Sequence, residues 1–234
     1  MKIKINLPTK ITISRIILAF GLLVSIFVMY LVDQFNPFIM NANFALGEAK
    51  EVMGIVNWAK TPHMNWIMLI LFGIFLIASL TDFLDGYLAR KNNEVTDLGK
   101  FLDPIADKML VNGMMVFLCL NFNSIRETHL SFPFFCVILM IIRDLVVDGL
   151  RLMAAKKNVV IAANMFGKVK TVLQMTAICL VFLNGFPFNF FDYNFPEYAH
   201  ITDIICYLAT IVSLLSGFIY LKQNKLVFGG ENNE

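Results

Sequence analysis

The sequence predicts an all-α, polytopic membrane protein with six transmembrane helices. Three observations predict it. Of 234 residues 58% are hydrophobic and only 15% charged, where a soluble domain carries about a quarter charged. Apolar runs near twenty residues recur, the length a helix needs to cross about 30 Å of hydrocarbon. Lysine and arginine gather in alternate loops, as expected of a chain threaded back and forth through a bilayer.

Six spans follow in order, at about 14–32, 63–88, 101–122, 131–153, 167–186 and 200–221. The first run, Ile16 to Val32, is too long for a signal peptide, and LVDQFNP after it holds no small-residue cleavage site. It reads as a retained span. Lys2, Lys4, Lys10 and Arg15 precede it. Arg90, Lys91 and Lys100 follow the second span. Arg151, Lys156, Lys157, Lys168 and Lys170 lie between the fourth and fifth, and Lys222 and Lys225 follow the sixth. The other loops are poor in cations, so both termini are expected in the cytoplasm of a multi-pass protein of the cytoplasmic membrane. A net charge of +2 is too small to imply a nucleic-acid partner.

The whole chain, 1–234, is read as a single transmembrane catalytic domain with an outer insertion at about 33–62. In FALGEAKEVMGIVNWA, Ala45, Ala49, Val52, Met53 and Val56 share a side at helical spacing. That pattern predicts an amphipathic helix, either lying on the membrane surface or packed on the bundle. Cys119, Cys136, Cys179 and Cys206 each stand alone in an apolar run, without metal or redox spacing, and read as small buried hydrophobes.

The chemistry concentrates in TDFLDGYLARKNNEVTDLGKFLDPIAD, residues 81–107. A carboxylate at bilayer depth costs about 2.5–3.5 kcal/mol on insertion scales, yet four stand here at the end of an apolar span. Asp82 and Asp85 are three apart on the second helix; Asp103 and Asp107 are four apart on the third. Each pair shares a helix face. KNNEVTDL, 91–98, is polar enough to turn the chain and bring the pairs together. Four close carboxylates would repel and protonate in an apolar setting, and a divalent metal resolves this. Oxygen donors without nearby His or Cys suit Mg²⁺ or Mn²⁺, and four can hold two such ions for phosphoryl transfer. Gly86, Ala89 and Gly99 leave room for a base or diphosphate, or serve helix packing. Arg90 has the fork geometry for phosphate oxygens. Pro104, which lacks an N–H for the Lys100 carbonyl, is expected to kink or start the third helix.

Asp82-x-x-Asp85-Gly86-x-x-Ala89-Arg90, eight further residues, then Gly99-x-x-x-Asp103-x-x-x-Asp107 resembles the CDP-alcohol phosphatidyltransferase signature at all eight fixed positions. The resemblance implies the six-helix CDP-alcohol phosphotransferase fold, a homodimer, and two divalent cations held by Asp82, Asp85, Asp103 and Asp107. It also implies attack of an alcohol on a CDP-linked lipid with release of CMP. Asp107 matches the family's general base, and Gly86, Ala89, Arg90 and Gly99 its CDP site.

The signature leaves the acceptor open. NLPTKITISRIILA and IIRDLVVDGLRLMAAKKNVVIAANMFGKVKTVLQM are similar to segments of bacterial phosphatidylglycerophosphate synthases. That similarity implies CDP-diacylglycerol and glycerol 3-phosphate as substrates. Arg143, Arg151, Lys168 and Lys170 form a cationic group suited to the acceptor phosphate, since a basic residue inside the membrane is by default a functional candidate. Arg151 and Lys170 serve equally as cytoplasmic anchors, as do Lys156 and Lys157, and Arg15 is either an anchor or an acceptor contact. Two positions depart from the similar segments: Asp144 stands where Glu is expected, and Asp148, a candidate partner of Arg143 or Arg151, where a small residue is expected. Inositol phosphate, serine or phosphatidylglycerol as acceptor keep the same chemistry. A cation transporter would place its carboxylates near the midplane, on broken helices or between repeats, whereas these stand at one end, the cytoplasmic side.

Overall fold

The computed structural model describes residues 7–35, 43–45, 63–91, 97–120, 130–157, 165–188 and 200–224. They form six helices and one short strand pair: α1 (Leu7–Phe35), β1 (Asn43–Ala45), β2 (His63–Asn65), α2 (Trp66–Lys91), α3 (Asp97–Cys119), α4 (Phe134–Lys156), α5 (Met165–Phe182) and α6 (Ile201–Gln223). Each predicted span corresponds to one helix. Three helices are long and apolar enough to cross a membrane, over Thr9–Phe35, Met165–Phe182 and Ile201–Gln223, and Trp66–Thr81 is a shorter apolar stretch. In α3 and α4 the charged residues dilute the hydropathy, although 23 residues each give about 35 Å of helix.

The chain divides into two compact units, Met1–Ser131 with Phe182–Asn184, and Phe132–Val181 with Gly185–Glu234. In the first, α1 packs against α2 and α3. Ala19, Leu22 and Ile26 are buried, while Ile17, Phe20, Phe27 and Val28 on the same helix are exposed. Such large apolar side chains facing outward suit a lipid surround. Gly113 permits close approach of α3 to α1, since a Cβ there would lie 2.6 Å from Leu23 Cδ2. Phe182 packs among Phe72, Phe75 and Phe117 at centroid distances of 5.7, 5.9 and 6.1 Å.

One expectation is corrected in this unit and another is narrowed. Ala45, the first residue of the predicted amphipathic face, lies in β1, which pairs antiparallel with β2 in the register Asn43↔Asn65, Phe44↔Met64 and Ala45↔His63. Backbone pairing to a segment distant in sequence overrides helical spacing at that end. Ala49, Val52, Met53 and Val56 lie outside the described residues. Asn65 then caps α2, its Oδ1 accepting from the Ile67 N–H at 2.8 Å. Pro104 does not start α3 but sits inside it, leaving the Lys100 carbonyl without its usual donor.

In the second unit α4 packs along α6. Val147, Leu150 and Tyr220 form a buried cluster bordered by Leu221. The polarity of α6 is inverted relative to a soluble helix. Its buried positions are Thr202, Cys206, Ala209, Thr210, Ser213, Ser216, Gly217 and Tyr220, whereas Leu208, Ile211, Leu215 and Phe218 are exposed. Small and polar residues face protein and large apolar ones face outward, as in packed membrane helices. α5 ends with Asn184 at φ 52° and Gly185 at φ 81°, and the Gly185 N–H donates to the Leu180 carbonyl at 2.7 Å, a Schellman-type stop.

Candidate active site

The first unit carries the carboxylates. Asp103 and Asp107 lie four residues apart on the unbroken helix α3, so they share a face; both are exposed, and Gly99 lies one turn earlier. The N-terminal turns of α1 reach Asp103. Thr12 Oγ1 donates to Asp103 Oδ1 at 2.9 Å. Arg15 Nη2 lies 4.0 Å from the same oxygen, with an Arg15 side chain 1% exposed against 50% for Asp103. That distance is too long for a hydrogen bond, so the guanidinium acts on the carboxylate at longer range than Thr12 does. Arg15, read as an anchor or acceptor contact, is thus placed beside a proposed metal ligand.

Asp82, Asp85, Gly86, Ala89 and Arg90 lie in the last turns of α2, and α2 packs on α3. Their side chains are outside the described residues, as are those of the residues linking α2 to α3. Among the described residues no three His, Cys, Asp or Glu gather in one group. The donors that are described fit a hard divalent ion. Asp103 and Asp107 offer carboxylate oxygens on one exposed face, and both contacts to Asp103 fall on Oδ1.

The second unit carries the cations. Asp144 on α4 is buried and sits between two of them. Its Oδ1 accepts from Arg143 Nη1 at 2.9 Å, and Lys170 Nζ of α5 lies 2.8 Å from each of its oxygens. The side chains of Arg143, Asp144 and Lys170 are 12%, 11% and 8% exposed. Two cations against one carboxylate leave a formal charge of +1. Arg143 is further held by α6: its Nε donates to the Ser213 carbonyl at 3.1 Å and its Nη2 to Ser216 Oγ at 2.8 Å. Arg151 is exposed, with Nε donating to Tyr220 Oη at 3.2 Å and its guanidinium 5.6 Å from the Tyr220 ring centre. Lys168 is exposed on α5.

Three of the four cations expected at an acceptor site therefore have named partners, and the carboxylate on Arg143 is Asp144 rather than Asp148. Sequence reasoning missed Thr12, Ser213, Ser216, Gly217 and Tyr220. The last four recur at helical spacing, so a search of α6 for a buried polar face would have found them.

A family model described as CDP-alcohol phosphatidyltransferase matches residues 5–215. Among curated proteins, the chain is 36% identical over 219 residues to a Bacillus subtilis protein, covering 94% of this chain and 95% of that one. It is 35% identical over 225 residues to one from Mycoplasma pneumoniae, covering 93% and 87%. A Rickettsia bellii protein is 35% identical over 155 residues, covering 66% and 78%. All three are named CDP-diacylglycerol--glycerol-3-phosphate 3-phosphatidyltransferase. With the signature residues on α2 and α3 and a match across most of its length, the chain belongs to the CDP-alcohol phosphatidyltransferase family.

Proposed function

We propose that this protein transfers the phosphatidyl group of CDP-diacylglycerol to sn-glycerol 3-phosphate, forming phosphatidylglycerophosphate and CMP in phospholipid biosynthesis. The structural observation that carries the acceptor is the Arg143–Asp144–Lys170 group. Its formal charge of +1, on side chains almost out of solvent, is stabilised by an anion; glycerol 3-phosphate brings a phosphate with net negative charge, whereas serine is a zwitterion of no net charge. The names of the relatives support the same acceptor.

In the mechanism, Asp82, Asp85, Asp103 and Asp107 would hold two divalent cations, Mg²⁺ or Mn²⁺. When bound, these supply charge neutralisation for the diphosphate and the departing CMP. Thr12 and Arg15 orient the Asp103 carboxylate. Asp107 accepts the proton of the acceptor's C1 hydroxyl. The acceptor oxygen then bonds to the phosphorus bearing diacylglycerol as the bond from that phosphorus to CMP breaks. Gly86, Ala89, Arg90 and Gly99 line the CDP site, and Arg143 with Lys168 meets the acceptor phosphate. The reading includes six spans in the cytoplasmic membrane, cytoplasmic termini, a site on the cytoplasmic side and a homodimer, as the family resemblance implies. This arrangement leaves acyl chains in lipid while CMP and acceptor exchange with water.

The test offers purified protein labelled CDP-diacylglycerol with glycerol 3-phosphate, inositol phosphate, serine or phosphatidylglycerol, one at a time. Labelled phosphatidylglycerophosphate and metal-dependent CMP release with the first acceptor are expected. Product with another acceptor alone overturns the assignment.

A further inference from the structure

Arg143 has five N–H donors, and three of them go to Asp144, Ser216 and the Ser213 carbonyl. Among the described residues this leaves two donors, one on each Nη nitrogen. Two of the three restraints come from α6, from positions one turn apart that are 0% and 1% exposed. A third feature of α6 acts through shape. At Gly217 a Cβ would stand 2.9 Å from Arg143 Cγ, 3.3 Å from Nε and 3.6 Å from Cδ. The arginine stem therefore lies in the groove that the missing side chain leaves. Cγ is the middle of that stem, so it cannot swing aside without carrying the guanidinium with it.

We propose that Ser216 and Gly217 are positioning residues for the acceptor, forming a seat on α6 that aims the two remaining Arg143 donors at a phosphomonoester. This rests on the acceptor reading above. The seat supplies what a lone arginine in a membrane helix lacks. A long flexible side chain loses rotamer freedom when it grips a ligand; one already held at Nε, Nη1 and Nη2 loses little. Its plane is fixed by partners on two helices, so its free edge points one way. The seat thus favours an acceptor that carries a phosphomonoester.

Gly217→Ala and Ser216→Ala test this in the full-length protein, with steady-state kinetics against glycerol 3-phosphate and against CDP-diacylglycerol. Restoring an ordinary carbon contact of about 3.5 Å moves the Arg143 stem by roughly 0.6 Å in the first variant. The second removes a hydrogen bond to a charged donor, worth about a tenfold change in binding. Each should raise the KM for glycerol 3-phosphate about tenfold and leave that for CDP-diacylglycerol within about twofold. Alanine is the better helix former, so weakening of α6 does not explain a loss in Gly217→Ala. Should that variant fail to fold, Ser216→Ala carries the test alone. Acceptor KM values within about twofold of wild type, or both KM values rising in parallel, overturn the seat. Wild-type protein that does not use glycerol 3-phosphate overturns the acceptor reading instead.

Discussion

Replacing Asp144 with asparagine removes one negative charge and little volume. In the native protein that carboxylate meets Arg143 at 2.9 Å and Lys170 at 2.8 Å, among side chains no more than 12% exposed. Solvent screening is therefore small. Breaking a buried pair by removing one partner costs about 3–5 kcal/mol, because the other charge stays buried and uncompensated. Two cations are affected here, but they share one carboxylate, so the losses do not add. Asparagine also keeps one acceptor oxygen. The lower end, about 3 kcal/mol, is expected, which lowers the unfolding midpoint by roughly 10 °C at 2–4 °C per kcal/mol for a chain of this size. Buried Cys136 on α4 and Cys206 on α6 provide the assay: heating in detergent micelles with a thiol-reactive dye reports opening of the second unit. Adding Lys170→Met returns the formal charge from +2 to +1, and the double variant should regain more than half of the lost stability. A midpoint within about 2 °C of wild type for Asp144→Asn, or a double variant less stable than the single one, refutes the reasoning.

The other predictions concern the first unit. Asp107→Asn should abolish transfer while the thermal midpoint holds; near wild-type turnover removes Asp107 as the general base. Thr12→Val deletes the hydrogen bond to Asp103, and since Asp103 is half exposed water replaces part of it, so about tenfold weaker Mn²⁺ binding is expected. An electron spin resonance titration of free Mn²⁺ measures it, and unchanged affinity counts against an orienting role. Gly113→Ala drives a methyl against Leu23 Cδ2; overpacking costs about 1–3 kcal/mol and helix propensity returns about 1. A net loss that Leu23→Ala in the same chain does not relieve would place the strain elsewhere. Phe182→Ala empties the centre of four aromatic rings and should cost about 3–5 kcal/mol in thermal unfolding; a loss below 1 would mean the rings close over the gap.

Hydropathy located six helices because lipid selects long apolar runs. It misplaced their ends because it registers lipid contact rather than helical backbone. α1 begins at Leu7, before the apolar run, and its first turns carry Thr9, Thr12 and Arg15, each 2% exposed. Those polar residues are buried, two of them beside Asp103, so the helix continues where the lipid signal stops. The strand pair was illegible for a different reason. Three residues on each side have no periodicity to detect, and their partners lie eighteen to twenty-two residues away in sequence. The signature aspartates on α3 were legible because spacings of four fix a shared face in any helix.

Asp144 shows where one-dimensional reading runs out. From the sequence it is a carboxylate one methylene shorter than expected, next to a candidate phosphate ligand, and it only preserves the expected charge. In the fold both of its oxygens are taken by Lys170 and one also by Arg143. It does not confront an incoming phosphate as a free charge. Instead it reduces two buried cations to a formal +1, which lets them remain inside the bundle before any anion arrives. Lys170 is thereby committed to Asp144, while Arg143 keeps two donors among the described residues and Lys168 stays exposed. On the proposed reading, Lys170 would serve as counter-ion and Arg143 with Lys168 as ligands. A Lys170 variant should then lose stability before it loses acceptor affinity, and an Arg143 variant the reverse.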